Sequence, residues 1–156
     1  RVLRVNEFSN IIKASDADIE WLHSISDADP NTVANEVDAI ARGWSAGGKL
    51  VVVTRGADGA WLYRNGERLE VAAPKIKLVD TVGAGDTFMA NLLAELKDLD
   101  ALGDEPSSRL ARISDDSLRT AARVAAVAAG MVCERSGCEP PTLKEVRQRI
   151  AADEAH

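Results

Sequence analysis

Val79-Asp80-Thr81-Val82-Gly83-Ala84-Gly85-Asp86-Thr87-Phe88 is the stretch from which the rest of the chain can be read. Gly83 and Gly85 flank an alanine, so the backbone there can turn tightly and approach a ligand closely. The residues before them read as extended and those after as helical. Their amides therefore stand at the positive end of a helix dipole, the arrangement of an anion cradle. Asp86 follows in the first helical turn. Amides that stabilise charge on phosphoryl oxygens, beside a carboxylate that accepts a hydroxyl proton, suit phosphoryl transfer to an alcohol. Taken alone, the glycine spacing equally suits a plain helix start, with Gly for the turn and Asp for the dipole.

Downstream, Phe88, Leu92, Leu96 and Leu99 recur at helical spacing. Asp98 to Ser114 is polar, holds Gly103 and Pro106, and reads as a loop with at most one short turn. Its acidic residues Asp98, Asp100, Asp104 and Glu105 read as a solvated surface. Ser114-Asp115-Asp116 caps an Ala-rich helix from Leu118 to about Val132, apolar all round and hence buried. Glu139-Pro140-Pro141 breaks it, and Thr142 starts an amphipathic helix carrying Leu143, Val146 and Ile150.

Upstream, Leu50 to Thr54 is a β-branched run of the kind found in a parallel strand covered on both faces. A glycine-bearing turn over Arg55 to Gly59 leads to a strand at Ala60 to Arg64. Asn65-Gly66 then signals a hairpin returning through Arg68 to Val71, and Pro74 to Val79 is extended. Arg1 to Phe8 reads as the end of a helix and Asn10 to Ala14 as a short buried strand. Ser15 and Asp18 form a capping box for a helix through Ile19, Trp21 and Leu22. A further helix starts near Pro30, carries Val33, Val37, Ile40 and Ala41, and ends before Gly47-Gly48. This order of elements is α/β with a β-hairpin insert.

The 156 residues carry 19 Lys and Arg against 25 Asp and Glu, a net charge of −6, which argues against nucleic-acid binding. The aromatic content of 4% argues against a base-stacking surface as well. Val124 to Cys133, the longest apolar run, is too short to cross a bilayer. Cys133 and Cys138 read as reduced thiols, since His23 and His156 lack zinc-ligand spacing. No Gly-Lys-Ser/Thr triplet of a Walker loop is present, and Phe88 stands where a dinucleotide fingerprint needs its third glycine.

Asp-Thr-x-Gly-Ala-Gly-Asp-Thr-Phe resembles the signature of the ribokinase-like (PfkB-type) carbohydrate kinases. Val53 to Ala60 resembles that family's strand and T-x-G-x-x-G turn beside the nucleotide. Ala125 to Gly130 followed by Glu134-Arg135-Ser136-Gly137-Cys138 resembles its late helix and the turn near the adenine. Ile12 to Leu22, with Lys13, Ser15, Asp16 and Asp18, is similar to the fructokinase branch. The resemblance implies a three-layer ribokinase-like α/β fold, of which this chain is the C-terminal, nucleotide-binding portion. The whole chain, residues 1–156, is then part of one kinase domain whose earlier half supplies the sugar contacts and the lid. The missing initial Met fits that expectation, and the cut should expose apolar strand surface.

By the same resemblance Asp86 is the catalytic base and Gly83, Ala84 and Gly85 are the anion hole. Thr54, Gly56, Gly59, Gly137 and Cys138 line the nucleotide, ATP carrying Mg²⁺. Asp80 marks a monovalent-cation (K⁺) site, from which Val82 in place of the family's Thr removes an oxygen. Carbonyls of Val132 or Gly137 are open substitutes. The implied reaction phosphorylates a sugar primary hydroxyl, fructose to fructose 6-phosphate. The competing expectation is a truncated, non-catalytic adenine-nucleotide module, and the chain by itself is expected to be inactive. A cytoplasmic location, no membrane or nucleic-acid partner, and a homodimer complete the expectations.

Overall fold

The computed structural model describes residues 2–25 and 29–155. Helix α1 (Val2–Phe8) leads into strand β1 (Ile11–Ser15), and helices α2 (Asp16–His23) and α3 (Pro30–Trp44) return the chain to β2 (Leu50–Thr54). A 3₁₀ turn at Gly56–Asp58 precedes the hairpin β3 (Ala60–Arg64) and β4 (Glu67–Val71). Four further helices follow: α4 (Ala84–Asp98), α5 (Pro106–Arg112), α6 (Asp115–Cys133) and α7 (Leu143–Glu154).

One mixed sheet runs in the order β1-β2-β3-β4, with β1 and β2 parallel and the other two pairs antiparallel. The hairpin strands thus extend the main sheet, so β2 has a parallel neighbour on one side only. Asn65 and Gly66 at the hairpin tip both have positive φ, 51° and 82°, which matches the right-handed twist of the flanking strands. Gly66 N–H donates to the buried Ser45 hydroxyl at 2.9 Å, which fastens the tip to the end of α3.

Strand alternation sorts the side chains into two cores. Leu50, Val52 and Leu62 join Phe88, Leu92 and Leu96 of α4 and Leu118, Ala121, Ala122 and Ala125 of α6. Val51, Val53, Trp61 and Tyr63 face Ile19 of α2 and Val37 and Ala41 of α3. The result is three layers with the sheet in the middle, both faces covered as the β-branched run required. Alanines on α6 let α4 lie close against it, because interaxial distance follows side-chain size. Helix α7 packs on the outer face of α6 through Val146 against Val124, Val127 and Ala128.

Several expectations need correction. Pro106 starts α5 rather than breaking the chain, since a missing N–H costs nothing at the first helical position. Leu110 of α5 is buried, and Arg64 Nη1 holds the helix by donating to the carbonyls of Leu110 and Ile113 at 2.8 and 2.6 Å. Leu99 lies past the end of α4 and is half-exposed. Trp21 is 78% exposed, and Ile19 alone anchors α2 as a buried residue. Among the described residues β1 pairs only with β2, leaving its other edge open. Its side chains are nevertheless half-buried or buried, and exposed apolar side chains lie elsewhere, on α1 (Phe8 is 81% exposed), at Trp21 and along residues 76–82 among others. Both cysteines are free thiols, and no described helix is long and apolar enough to cross a membrane. Arg1 and His156 lie outside the described residues.

Candidate active site

The loop before α4 is positioned by residues 74–80, which run without regular structure past the C-terminal end of α6. Pro74 and Ile76 seat on Gly130, where an added Cβ would lie 2.5 Å from Pro74 Cγ and 3.0 Å from Ile76 Cγ2. Arg149 of α7 donates to the Lys75 carbonyl at 3.0 Å, and Lys77 N–H donates to Glu134 at 3.2 Å. Arg149 also pairs with Glu134 at 3.1 Å. Val79 and Asp80 N–H both donate to the Cys133 carbonyl, the last residue of α6, at 2.8 and 3.1 Å.

Asp80 then joins two loops. One carboxylate oxygen accepts from Val82 N–H and the other from Gly137 N–H, each at 3.0 Å. The Val82 amide, and after it the Gly137 amide, holds the Asp80 carboxyl below its ordinary pKa, since both bonds favour the ionised form. Gly83 is the N-cap of α4 with φ 80°, a left-handed conformation that a glycine adopts without strain. A Cβ on Gly83 would collide with Cys138 Sγ. Asp80, Gly83, Gly137 and Cys138 are therefore one assembly, from segments that sequence places more than fifty residues apart.

Gly83, Ala84 and Gly85 open α4, and the exposed Asp86 follows them directly in the first turn. Thr87 and Phe88 are buried, which fixes the rotation of that turn. The amides at the helix start lack intrahelical acceptors and face outward with the positive end of the dipole. Against this turn lies Lys13 of β1, whose Nζ is 2.8 Å from where a Cβ of Gly85 would be. Lys13 was legible in the sequence only as part of a motif, because its approach to Gly85 spans seventy-two positions.

The 54–59 segment is less concentrated. Thr54 Oγ1 donates to the Ala14 carbonyl of β1 at 3.4 Å. Gly59 is buried with φ 86°, and its missing Cβ leaves room for the backbone of Val71 and Ala73. Its glycine is thus required for chain packing. Gly56 faces open space, with φ 53°. No hydrogen bond among the described residues links this segment to the Asp80–Cys138 assembly. The turn borders a concavity of about 350 Å³ shared with Asp16 and Glu20 of α2. A second concavity, about 400 Å³, lies between residues 70–74 and Arg119 and Arg123 of α6. Neither includes Gly83 to Asp86.

The model of the pfkB family of carbohydrate kinases matches residues 1–145, the helix-start amides, Asp86 and Lys13 among them. The chain belongs to that family. It is 42% identical to a fructokinase from Rhizobium leguminosarum bv. trifolii over 98 residues, 62% of this chain and 27% of the relative. It is 49% identical to a 2-dehydro-3-deoxygluconokinase of Escherichia coli K12 over 61 residues, 36% of this chain and 20% of the relative. The crystal structure of a fructokinase with bound ATP from Xylella fastidiosa superposes with a TM-score of 0.76 at 22% identity. That superposition covers 96% of this chain and 44% of the other, and gives the pfkB-family chain a ribokinase-like α/β fold. The chain spans less than half the length of each of these proteins.

Proposed function

We propose that residues 1–156 supply the later, nucleotide-binding part of an ATP-dependent sugar kinase, with Asp86 as general base. The single observation that carries this reading is the exposed Asp86 carboxylate directly after the Gly83-Ala84-Gly85 helix start. In the reaction, a sugar primary hydroxyl attacks the terminal phosphorus of ATP. Its oxygen forms the new P–O bond, the bond to the ADP oxygen breaks, and Asp86 takes the hydroxyl proton. The amides of Gly83 to Gly85 stabilise charge on the transferred oxygens, which in a loose transition state supplies much of the catalysis. Thr54, Gly56, Gly137 and Cys138 border the nucleotide, while Gly59 supports the Gly56 turn from behind.

Fructose is the acceptor favoured by the similarity to fructokinases, and the similarity to a 2-dehydro-3-deoxygluconokinase makes that keto acid the natural comparison. Mg²⁺ would neutralise charge on the triphosphate oxygens. Among the described residues no cluster of three or more His, Cys, Asp or Glu side chains is placed to hold a metal ion. Phosphate and water would thus be its main ligands. Asp80 fits the flank of a K⁺ site, since each oxygen keeps a lone pair beyond its amide bond, although the Val82 side chain contributes no oxygen.

The second reading is a nucleotide-binding module without turnover of its own. Sugar-dependent ADP release separates the two. In the intact protein, Asp86→Asn is expected to keep ATP affinity and lower kcat by about 10²–10⁴-fold, the usual contribution of a positioned base. Unchanged kcat overturns the base assignment, and no release from the wild type with either acceptor favours the module.

A further inference from the structure

Helix α7 brings little apolar surface to the fold: Val146 is its one buried residue, set against Val124, Val127 and Ala128 of α6. Glu145 and Arg149, at i and i+4 spacing, share one face of the helix. Both reach the turn that follows α6. Arg149 Nη1 donates to Glu134 at 3.1 Å, and Arg135 Nη2 donates to Glu145 at 2.8 Å. Arg135 Nη1 also donates to the Glu139 carbonyl at 3.2 Å, which closes the turn on itself. The adjacent acid and base of the turn are thus matched to a base and an acid of the helix. A shift of α7 that moved Glu145 into the place of Arg149 would set it against Glu134, and facing like charges oppose that register.

Arg149 does more than pair. Its Nη2 donates to the Lys75 carbonyl at 3.0 Å, while Lys77 N–H donates to Glu134 at 3.2 Å. The ion pair therefore grips the 74–80 segment on both sides of Ile76, whose side chain seats on Gly130. That segment ends at Asp80, which joins Gly137 to the loop opening α4. The hydrogen bond to Arg149 holds the Glu134 carboxyl below its usual pKa, so the pair stays ionised at neutral pH. The two side chains are 29% and 27% exposed, and ion pairs so placed add little stability. What distinguishes this pair is that it touches both segments that meet at Asp80. Arg123 and Glu154 also join α6 to α7, at 2.7 Å, yet among the described residues they hydrogen-bond to neither segment.

From the Arg149 guanidinium bridging Glu134 and the Lys75 carbonyl we infer that Arg149 is a positioning residue of the nucleotide site. It sets the spacing between the turn of residues 134–138 and the amides that open α4. The inference rests on the proposed phosphoryl-transfer reading of those two loops. Arg149 acts through Glu134 and the backbone of residues 75–77 rather than on the reacting atoms. Arginine suits the task because its planar fork reaches a carboxylate and a carbonyl at once, in fixed directions.

The test compares wild type with Arg149→Met, Arg149→Lys and Arg123→Met. Calorimetric titration with a non-hydrolysable ATP analogue and Mg²⁺ reads affinity, and the amide resonances of Val82 to Gly85 read the helix start without ligand. Arg149→Met is expected to lower affinity about three- to thirtyfold and to shift those resonances, the scale of coupling carried through a packed network. Arg123→Met, which removes an ion pair from the same two helices, is expected to keep affinity within about twofold and the resonances in place. Arg149→Lys keeps the charge without the fork and is expected to recover at most part of the loss; it also stands in should Arg149→Met fail to fold. A loss in Arg149→Met no larger than in Arg123→Met, full recovery in Arg149→Lys, or unmoved Val82 to Gly85 resonances overturns the Arg149 assignment while the proposed function stands. A wild type that binds no nucleotide overturns the proposed function, and the resonances alone then decide whether Arg149 positions the helix start.

Discussion

Asp80 accepts the amide of Gly137 at 3.0 Å with one carboxylate oxygen and the amide of Val82 at 3.0 Å with the other. Through that one side chain, the loop that opens α4 and the turn that follows α6 form a single unit. Replacing Asp80 by Ala removes both acceptors. The expected result is faster hydrogen exchange at Val82 and Gly137, together with weaker nucleotide binding and an unchanged helix content. Unaltered exchange at Gly137 would show that the Cys133 carbonyl alone fixes the loop.

The same link gives a pH dependence of definite sign. The Asp80 carboxyl lies below its ordinary value because its ionised form accepts first the Val82 and then the Gly137 amide. A lowered folded-state pKa means that the link is complete above the unfolded value, about 3.9, and is lost as pH falls through the lowered one. Amide resonances of Val82 and Gly137 should stay fixed from neutral pH to about 4 and then shift together. A shared transition at higher pH would contradict the bonding pattern.

Gly83 and Cys138 should couple energetically. Gly83→Ala imposes a left-handed alanine, costing about 1–2 kcal/mol, and also drives a Cβ into Cys138 Sγ. Cys138 is exposed, so Cys138→Ala alone should be near neutral. The double variant should recover the steric part of the loss and keep the backbone part. Urea denaturation of the four proteins measures the coupling, and strict additivity would place the two residues apart.

Gly130→Ala separates helix propensity from packing. Alanine favours a helix interior by about 1 kcal/mol over glycine. Here its Cβ would sit 2.5 Å from Pro74 Cγ, an overpacking that typically costs about 1–3 kcal/mol. Net destabilisation in chemical denaturation is expected, with resonance shifts through residues 74–80. A gain in stability would mean that the segment simply moves aside.

Leu92 is fully buried between the sheet and α6. Leu92→Ala should lower stability by about 2–5 kcal/mol, a large share of the 5–15 kcal/mol typical of a domain, and loosen the helix that carries Asp86. Thermal unfolding followed by circular dichroism checks this, and a smaller loss would mean that α4 and α6 close over the gap.

Local chemistry carried most of the element boundaries in the sequence. The capping box of Ser15 with Asp18 forms, as do the Thr142 and Ser114 caps and the Asn65-Gly66 hairpin. Each depends on residues a few positions apart, which is why a linear string reveals it. Helix α5 was hidden because Pro106 works either as a breaker or as a first helical residue. Only the contact of α5 with Arg64 decides between them.

The nine-residue loop signature, by itself, determined the family, the helix start and the candidate base, because backbone turns and dipoles are set by residues adjacent in the chain. The tertiary structure alone decided that Asp80 reaches Gly137, that Gly83 yields its space to Cys138, and that Gly59 leaves room for the backbone of Val71 and Ala73. It also brought Lys13 to Gly85. Those relationships join segments whose separation is fixed by how the sheet and helices stack, a property of the whole core that no local stretch contains.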